Sequence, residues 1–133
     1  MTHNFTCRVY YEDTDLAGVV YYANYLKFIE RARTEMVAEL GFDQTTMKAD
    51  TGMVFAVRRV EADYLLAAKF ADDLTVATDV LAVTAARITL AQTVLRNAEI
   101  LFLANVILVC LQENGRPARI PADIRAKMEQ IRR

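Results

Sequence analysis

Residues 22–41 read YANYLKFIERARTEMVAELG, and their spacing decides what the rest of the chain is built around. Tyr22, Tyr25, Leu26, Ile29, Ala32, Met36, Val37 and Leu40 recur at helical spacing, while Lys27, Glu30, Arg31, Glu35 and Glu39 fall largely opposite. The pattern predicts one long amphipathic helix. Arg31 and Glu35 make an i,i+4 pair on its polar face, and Gly41 supplies the left-handed residue that ends many helices. Asn24 is a candidate cap, yet Tyr22 already belongs to the apolar stripe, so the start lies between Tyr22 and Tyr25.

Upstream of this helix, residues 5–10 alternate as a short strand and residues 12–18 read as a polar turn. Downstream, residues 45–51 read as a linker, followed by four strand-like runs at 53–66, 73–84, 87–96 and 99–112. The breaks hold Asp72 with Asp73 and Asn97 with Ala98, too short for crossover helices, which predicts antiparallel hairpins in a meander. In the last run both alternating sets are apolar, Ile100, Phe102, Ala104, Val106 and Leu108 on one side, Leu101, Leu103, Ile107 and Val109 on the other. Both faces must be covered, and one helix covers only part of one. The other face is expected to meet a second subunit or an overlying segment. Pro121 opens a short C-terminal helix carried by Ile124, Met128 and Ile131, with Arg125, Lys127 and Arg132 outward. The expected architecture is α+β, a single domain over residues 1–133.

Composition removes several function classes. The chain has 16 Lys and Arg against 17 Asp and Glu, so no strong field draws nucleic acid or anionic lipid. The longest apolar run, 100–111, is broken by Asn105 and falls short of the roughly 20 residues a bilayer needs. Thr2, His3 and Asn4 after Met1 do not read as a signal peptide, which points to a cytoplasmic protein. Cys7 and Cys110, among strand-like residues, are expected to be reduced and packed, with Arg8 beside Cys7 the one hint of a reactive thiol. His3 is the only histidine and lies near a terminus expected to be mobile, which leaves no partner for a Ser-His or Cys-His hydrolase. Gly18, Gly41, Gly52 and Gly115 form no phosphate-cradling cluster. Glu12, Asp13 and Asp15 supply too few oxygens for a calcium loop, so neither a metal nor a cofactor is expected.

The residues themselves support two readings of Asp13 and Asp15. Short carboxylates populate turns and cap helices. A carboxylate just ahead of a helix also brings a base or nucleophile close to free N–H groups aimed at an anion, the two parts acyl transfer requires. Gly18 lets the chain fold back between Asp15 and the helix, and a side chain there is expected to obstruct a ligand's approach. Arg58 and Arg59, adjacent on a strand, are expected to point to opposite faces, so that at most one reaches an anionic ligand from the pocket.

The segment 10–35, YYEDTDLAGVVYYANYLKFIERARTE, resembles the signature of the YbgC type of Tol-Pal-associated thioesterases and, more loosely, that of 4-hydroxybenzoyl-CoA thioesterases. Weaker likeness continues through Val57-Arg58, Asp63-Tyr64 and Asp72-Asp73. The resemblance implies a hotdog fold, a long helix wrapped by an antiparallel sheet, assembled as a homodimer or homotetramer. It implies that Asp15, the last residue of the Asp-x-Asp group, is the catalytic carboxylate, and that backbone N–H near Tyr22 holds the thioester oxygen. Gly18, Val19, Val20, Tyr25 and Arg59 complete the expected substrate-binding set. The implied substrate is an acyl-CoA, with acyl carrier protein or the inner face of a membrane as further partners. Two departures stand out: Tyr22 occupies a place where many Tol-Pal-associated members carry histidine and the hydroxybenzoyl type carries tyrosine, and Ala67 replaces the usual proline. Hydratases of this fold pair Asp with His, which disfavours them here. The competing expectation is a non-catalytic acyl-CoA or acyl-carrier-protein binder that keeps the pocket.

Overall fold

A computed structural model describes residues 1–133. The elements are β1 (His3–Arg8), a 3-10 turn (Tyr11–Asp13), α1 (Asn24–Glu39), α2 (Gln44–Thr51), β2 (Val54–Tyr64), β3 (Asp73–Val83), β4 (Ile88–Arg96), β5 (Glu99–Leu111), β6 (Pro117–Ala118) and α3 (Ala122–Gln130). The strands form one antiparallel sheet in the order β1-β3-β4-β5-β2, and β6 pairs with the end of β5. This is the α+β arrangement expected, a long helix held against an antiparallel sheet.

The helix forms where its periodicity places it, and buries Tyr25, Phe28, Ile29, Ala32, Met36 and Val37. Phe28 belongs to this face although the stripe above omits it, whereas Tyr22 and Leu26 are exposed. The buried residues meet Leu74, Val76 and Val80 of β3, Leu90 and Val94 of β4, and Phe102 and Val106 of β5 in one apolar cluster. Each large side chain so buried contributes about 1.5–3 kcal/mol before entropy is counted.

Three expectations change. Residues 45–51 are not a linker but most of α2, capped by Asp43, whose carboxylate accepts the Thr46 N–H at 3.1 Å, and closed by Gly52 at φ 73°. None of its residues is buried, so no apolar stripe announced it. The meander holds for β3-β4-β5 only: β2 pairs beyond β5, and residues 65–72 carry the chain back to β3. The N-terminus is pinned. The Met1 ammonium donates to the Ile131 carbonyl at 2.8 Å, and His3 sits in β1 with Nε2 2.8 Å from Glu39.

β2 also departs from regular alternation. Val57 opposes Leu108 and Arg59 opposes Ile107, leaving Arg58 as an inserted residue. Side chains directly opposite share a face, so Val57 and Val60, paired to buried Leu108 and Val106, both face α1. Arg59 lies on the outer face with Ile107, and the bulge removes the alternation on which opposite directions for Arg58 and Arg59 rested.

Candidate active site

The 3-10 turn leads into a tight hairpin. Tyr21 N–H donates to the Asp13 carbonyl at 2.9 Å, Thr14 bridges Val20, and Asp15 N–H donates to the Val19 carbonyl at 2.9 Å. Gly18 N–H closes the tip on the Asp15 carbonyl at 3.0 Å, with Gly18 at φ 80°. That left-handed conformation is the reason for glycine. A Cβ at Gly18 meets nothing within 4 Å, so within this chain the backbone angle alone calls for glycine.

Asp15 is exposed at this tip, and its Oδ1 accepts the Ala17 N–H at 2.9 Å, which leaves Oδ2 without a donor from the chain. Leu16 beside it is fully exposed. Asp13 is used differently: it is buried, and its carboxylate accepts the Tyr10 N–H at 2.8 Å. Three residues separate the Asp15–Val19 level from Tyr22, at most about 10 Å of chain. Asp15 and the start of α1 are therefore within one substrate's length.

At that start the backbone is preorganised. Asn24 N–H donates to the Tyr21 carbonyl at 2.8 Å, and Asn24 Nδ2 donates to the Asp13 carbonyl at 2.9 Å, so a single buried residue ties the peptide ahead of Tyr22 to the Asp15 arm. Tyr64 Oη donates to the Tyr22 carbonyl at 2.9 Å, fixing the next peptide plane. The N–H groups of Tyr22 and Ala23 have no acceptor in the chain. They stand at the positive end of a helix of 16 residues.

A segment between strands walls this region. Val20 N–H donates to the Ala68 carbonyl at 2.8 Å, Val19 bridges Lys69, and Ala68 N–H donates to Tyr25 Oη at 3.0 Å. Asp72 holds the segment from behind, accepting Lys69 N–H and Arg96 Nη1, both at 2.8 Å. Tyr25 is thus a core residue rather than a free pocket wall: it is buried, stacked on Phe102 at 5.0 Å, and its hydroxyl is committed. Tyr22 is the exposed member, edge-on to Tyr64 at 6.2 Å.

Of the residues singled out from the sequence, Asp15, Gly18, Val19, Val20 and Tyr22 come together, and Tyr25 backs them. Arg59 does not join them: it is outward on β2 and paired to Glu61 at 2.5 Å. Neither cysteine enters. Burial raises the Cys7 thiol pKa, only partly offset by Arg31, and burial likewise raises Cys110, while Arg8 is paired to Asp73 at 3.0 Å. Asn24 and Tyr64 are the residues sequence reading missed as part of the site. Asn24 read as a cap, and Tyr64 lies 42 positions from the carbonyl it binds, a pairing no local pattern carries.

Residues 9–128 match the model of the thioesterase-like superfamily. The chain belongs to that superfamily. It is 40% identical over 130 residues to the acyl-CoA thioesterase YbgC of Haemophilus influenzae, covering 97% of this chain and 96% of that one. The acyl-CoA thioester hydrolase YbgC of an Escherichia coli strain is 37% identical over 126 residues, 92% of each chain. Among solved structures, a probable thioesterase from Bartonella henselae superposes with a TM-score of 0.87 at 35% identity, covering 91% of this chain and 100% of that one. A 1,4-dihydroxy-2-naphthoyl-CoA thioesterase from Synechocystis shares the fold, with a TM-score of 0.90 at 20% identity and 98% of each chain covered. As a member of this superfamily the chain is a thioester hydrolase with the hotdog architecture, α1 lying in the curl of the sheet.

Proposed function

We propose that this thioesterase hydrolyses acyl-CoA esters, with Asp15 as nucleophile or general base and the N–H groups at the start of α1, from Tyr22 and Ala23, as oxyanion donors. The observation that carries the reading is the pair of unpartnered N–H groups, held in place by Asn24 and Tyr64, one hairpin away from a carboxylate with an uncommitted oxygen. As the carbonyl becomes tetrahedral its oxygen gains charge, and fixed donors stabilise that charge without reorganising. In one route Asp15 attacks the carbonyl carbon, the C–S bond breaks, CoA thiolate leaves, and water cleaves the mixed anhydride. In the other Asp15 takes the proton from water as the water attacks. Neither route needs a cofactor.

The chain is proposed to act in the cytoplasm as a homodimer or homotetramer. Support comes from β2, an outer strand whose inward-facing Val57, Val60 and Tyr64 stay exposed, and from exposed Leu103 on the outer side of β5. Arg59, on the outer surface, is proposed to meet the CoA phosphates at the protein's exterior. Acyl carrier protein, the inner face of a membrane and the Tol-Pal system belong to the same proposal and rest on the family likeness alone. The named relatives act on acyl-CoA.

The hydrogen bond from Ala17 to Asp15 favours a second reading, a binder in which this carboxylate only shapes its turn. Asp15→Asn separates the two, because an amide oxygen still accepts the Ala17 N–H while losing nucleophile and base. The expected result is a loss of thiol release from acyl-CoA of about 10²–10⁴-fold with an unchanged melting temperature. Undiminished turnover in this variant excludes Asp15 from the reaction.

A further inference from the structure

Residues 65–72, between β2 and β3, touch both parts of the site, and two successive peptide planes in this segment divide the work. The Ala67 carbonyl and the Ala68 N–H belong to one rigid peptide unit. Arg96 Nη1 donates to that carbonyl at 3.2 Å, and the N–H donates at 3.0 Å to Tyr25 Oη, on α1 one turn beyond Tyr22. The next unit repeats the plan. Lys69 N–H donates to Asp72 Oδ2 at 2.8 Å, and the Ala68 carbonyl accepts the Val20 N–H at 2.8 Å, on the hairpin whose Val19 carbonyl holds the Asp15 N–H. One plane is thus anchored to the helix and the next to the Asp15 arm. The other edge of each ends on Arg96 or Asp72, and these two are bonded to each other, Nη1 to Oδ2 at 2.8 Å.

Arg96 is itself held. It closes β4 opposite Glu99 across the turn Asn97-Ala98, and Glu99 Oε1 lies 3.2 Å from both its Nε and its Nη2. With Nη1 committed to Ala67 and Asp72, the guanidinium has little freedom left. Ala67 has less support of its own, because its N–H has no acceptor in the chain. We propose that Arg96 is a positioning residue for thioester hydrolysis, setting through residues 67–69 how the Asp15 arm stands relative to the oxyanion donors of α1. The assignment rests on the hydrolase reading above. Arg96 bonds to neither Asp15 nor Tyr22, so its loss removes no reacting group. It frees the two planes to turn, and small displacements between reacting groups cost rate steeply. A residue that acts only on the geometry between two reacting parts lowers kcat and leaves KM nearly alone.

The test is thiol release from the acyl-CoA ester that the wild-type protein turns over fastest among short, long and aromatic esters. Arg96→Met, with its fold checked by circular dichroism, is expected to lower kcat by about 10-fold and to keep KM within about 2-fold of wild type. Arg96→Lys keeps the charge but cannot reach all three acceptors, and is expected to fall between. Ala67→Pro restrains residue 67 through the chain itself and removes no internal hydrogen bond. Added to Arg96→Met, it is expected to recover most of the lost kcat, a coupling that a purely structural role for Arg96 does not produce. Wild-type kcat in both Arg96 variants overturns the assignment and leaves the hydrolase reading standing. So does a rise in KM at constant kcat, which makes Arg96 a substrate contact, and so does a lost kcat that Ala67→Pro fails to restore. No thiol release by the wild type from any ester overturns both. Should Arg96→Met not fold, Arg96→Lys with and without Ala67→Pro carries the same comparison.

Discussion

The inner face of the sheet has two halves that differ in what covers them. On β3 and β4, Val76, Val80, Leu90 and Val94 are fully buried by α1 and the apolar cluster. On β2, Val57, Val60 and Tyr64 point to the same side and are 44%, 37% and 48% exposed. The helix is too narrow to cover five strands, so it seals one half and leaves a groove along the other. The sealed half carries stability. The open half runs from the start of α1 toward Arg33 and leaves these three side chains uncovered.

Paired substitutions break this contrast most directly. Leu90→Ala on the sealed half is expected to cost about 2–5 kcal/mol in urea unfolding, because the hole it leaves is rigidly walled. Val60→Ala, measured the same way at a protein concentration where the chain is dispersed, is expected to cost within about 0.5 kcal/mol. Val60→Glu then sharpens the meaning of the open half: the melting temperature of the dispersed chain should hold while sedimentation shifts to smaller species. Equal costs for Leu90→Ala and Val60→Ala in dispersed protein would make the two halves a single core and remove the contrast.

A smaller effect is expected where the halves join. Tyr64 is the last residue of β2 and its hydroxyl holds the Tyr22 peptide, so that the Ala23 N–H of the same planar unit points away from it. An accepted hydrogen bond on a carbonyl also strengthens donation by its own N–H. Burial, and then Tyr22 and Tyr25, raise the Tyr64 phenol pKa, which keeps it a donor through neutral pH. Tyr64→Phe is expected to lower kcat by about 3- to 10-fold, corresponding to one hydrogen bond of about 1 kcal/mol, with KM little changed. A rise in KM at constant kcat would instead make Tyr64 a substrate-binding contact.

The sealed half was legible in the sequence and the open half only in outline. Helical periodicity found α1 because most of its face is buried, and β5 was legible from the alternating set Phe102, Ala104, Val106 and Leu108, which the structure buries. It failed at α2, whose residues pack too little to leave a stripe and whose only signals were the caps Asp43 and Gly52. β2 was legible as a strand but not its place, because pairing beyond β5 is decided by a segment crossing residues 65–72, and a two-residue Asp-Asp break gave no warning of a crossing. The roles proposed for Asp15 and Tyr22 rest on family likeness, since exposed turn carboxylates look alike whatever they do. Arg96 meets Asp72 across 24 positions and Ala67 across 29, so that contact was visible only after folding.

The smallest expected effect concerns that crossing segment, which carries the chain from the open half to the sealed one. The resemblance to the Tol-Pal-associated type implies proline at the position of Ala67. Its N–H has no acceptor in the chain and its φ is not positive, while its carbonyl accepts Arg96 Nη1 at 3.2 Å. A proline here removes no internal hydrogen bond and restricts the unfolded chain, so Ala67→Pro is expected to stabilise by about 0.4–1 kcal/mol. The melting temperature should rise by about 2–5 °C, with thiol release unchanged, because Val20 and Tyr25 hold the neighbouring Ala68 through both its carbonyl and its N–H. A fall instead would mean that the Ala67 N–H is bound by something outside this chain, a substrate or a second copy lying across the segment. The contrast would then extend to the loop itself, whose backbone would belong to the open half although its anchors Asp72 and Arg96 lie on the sealed one.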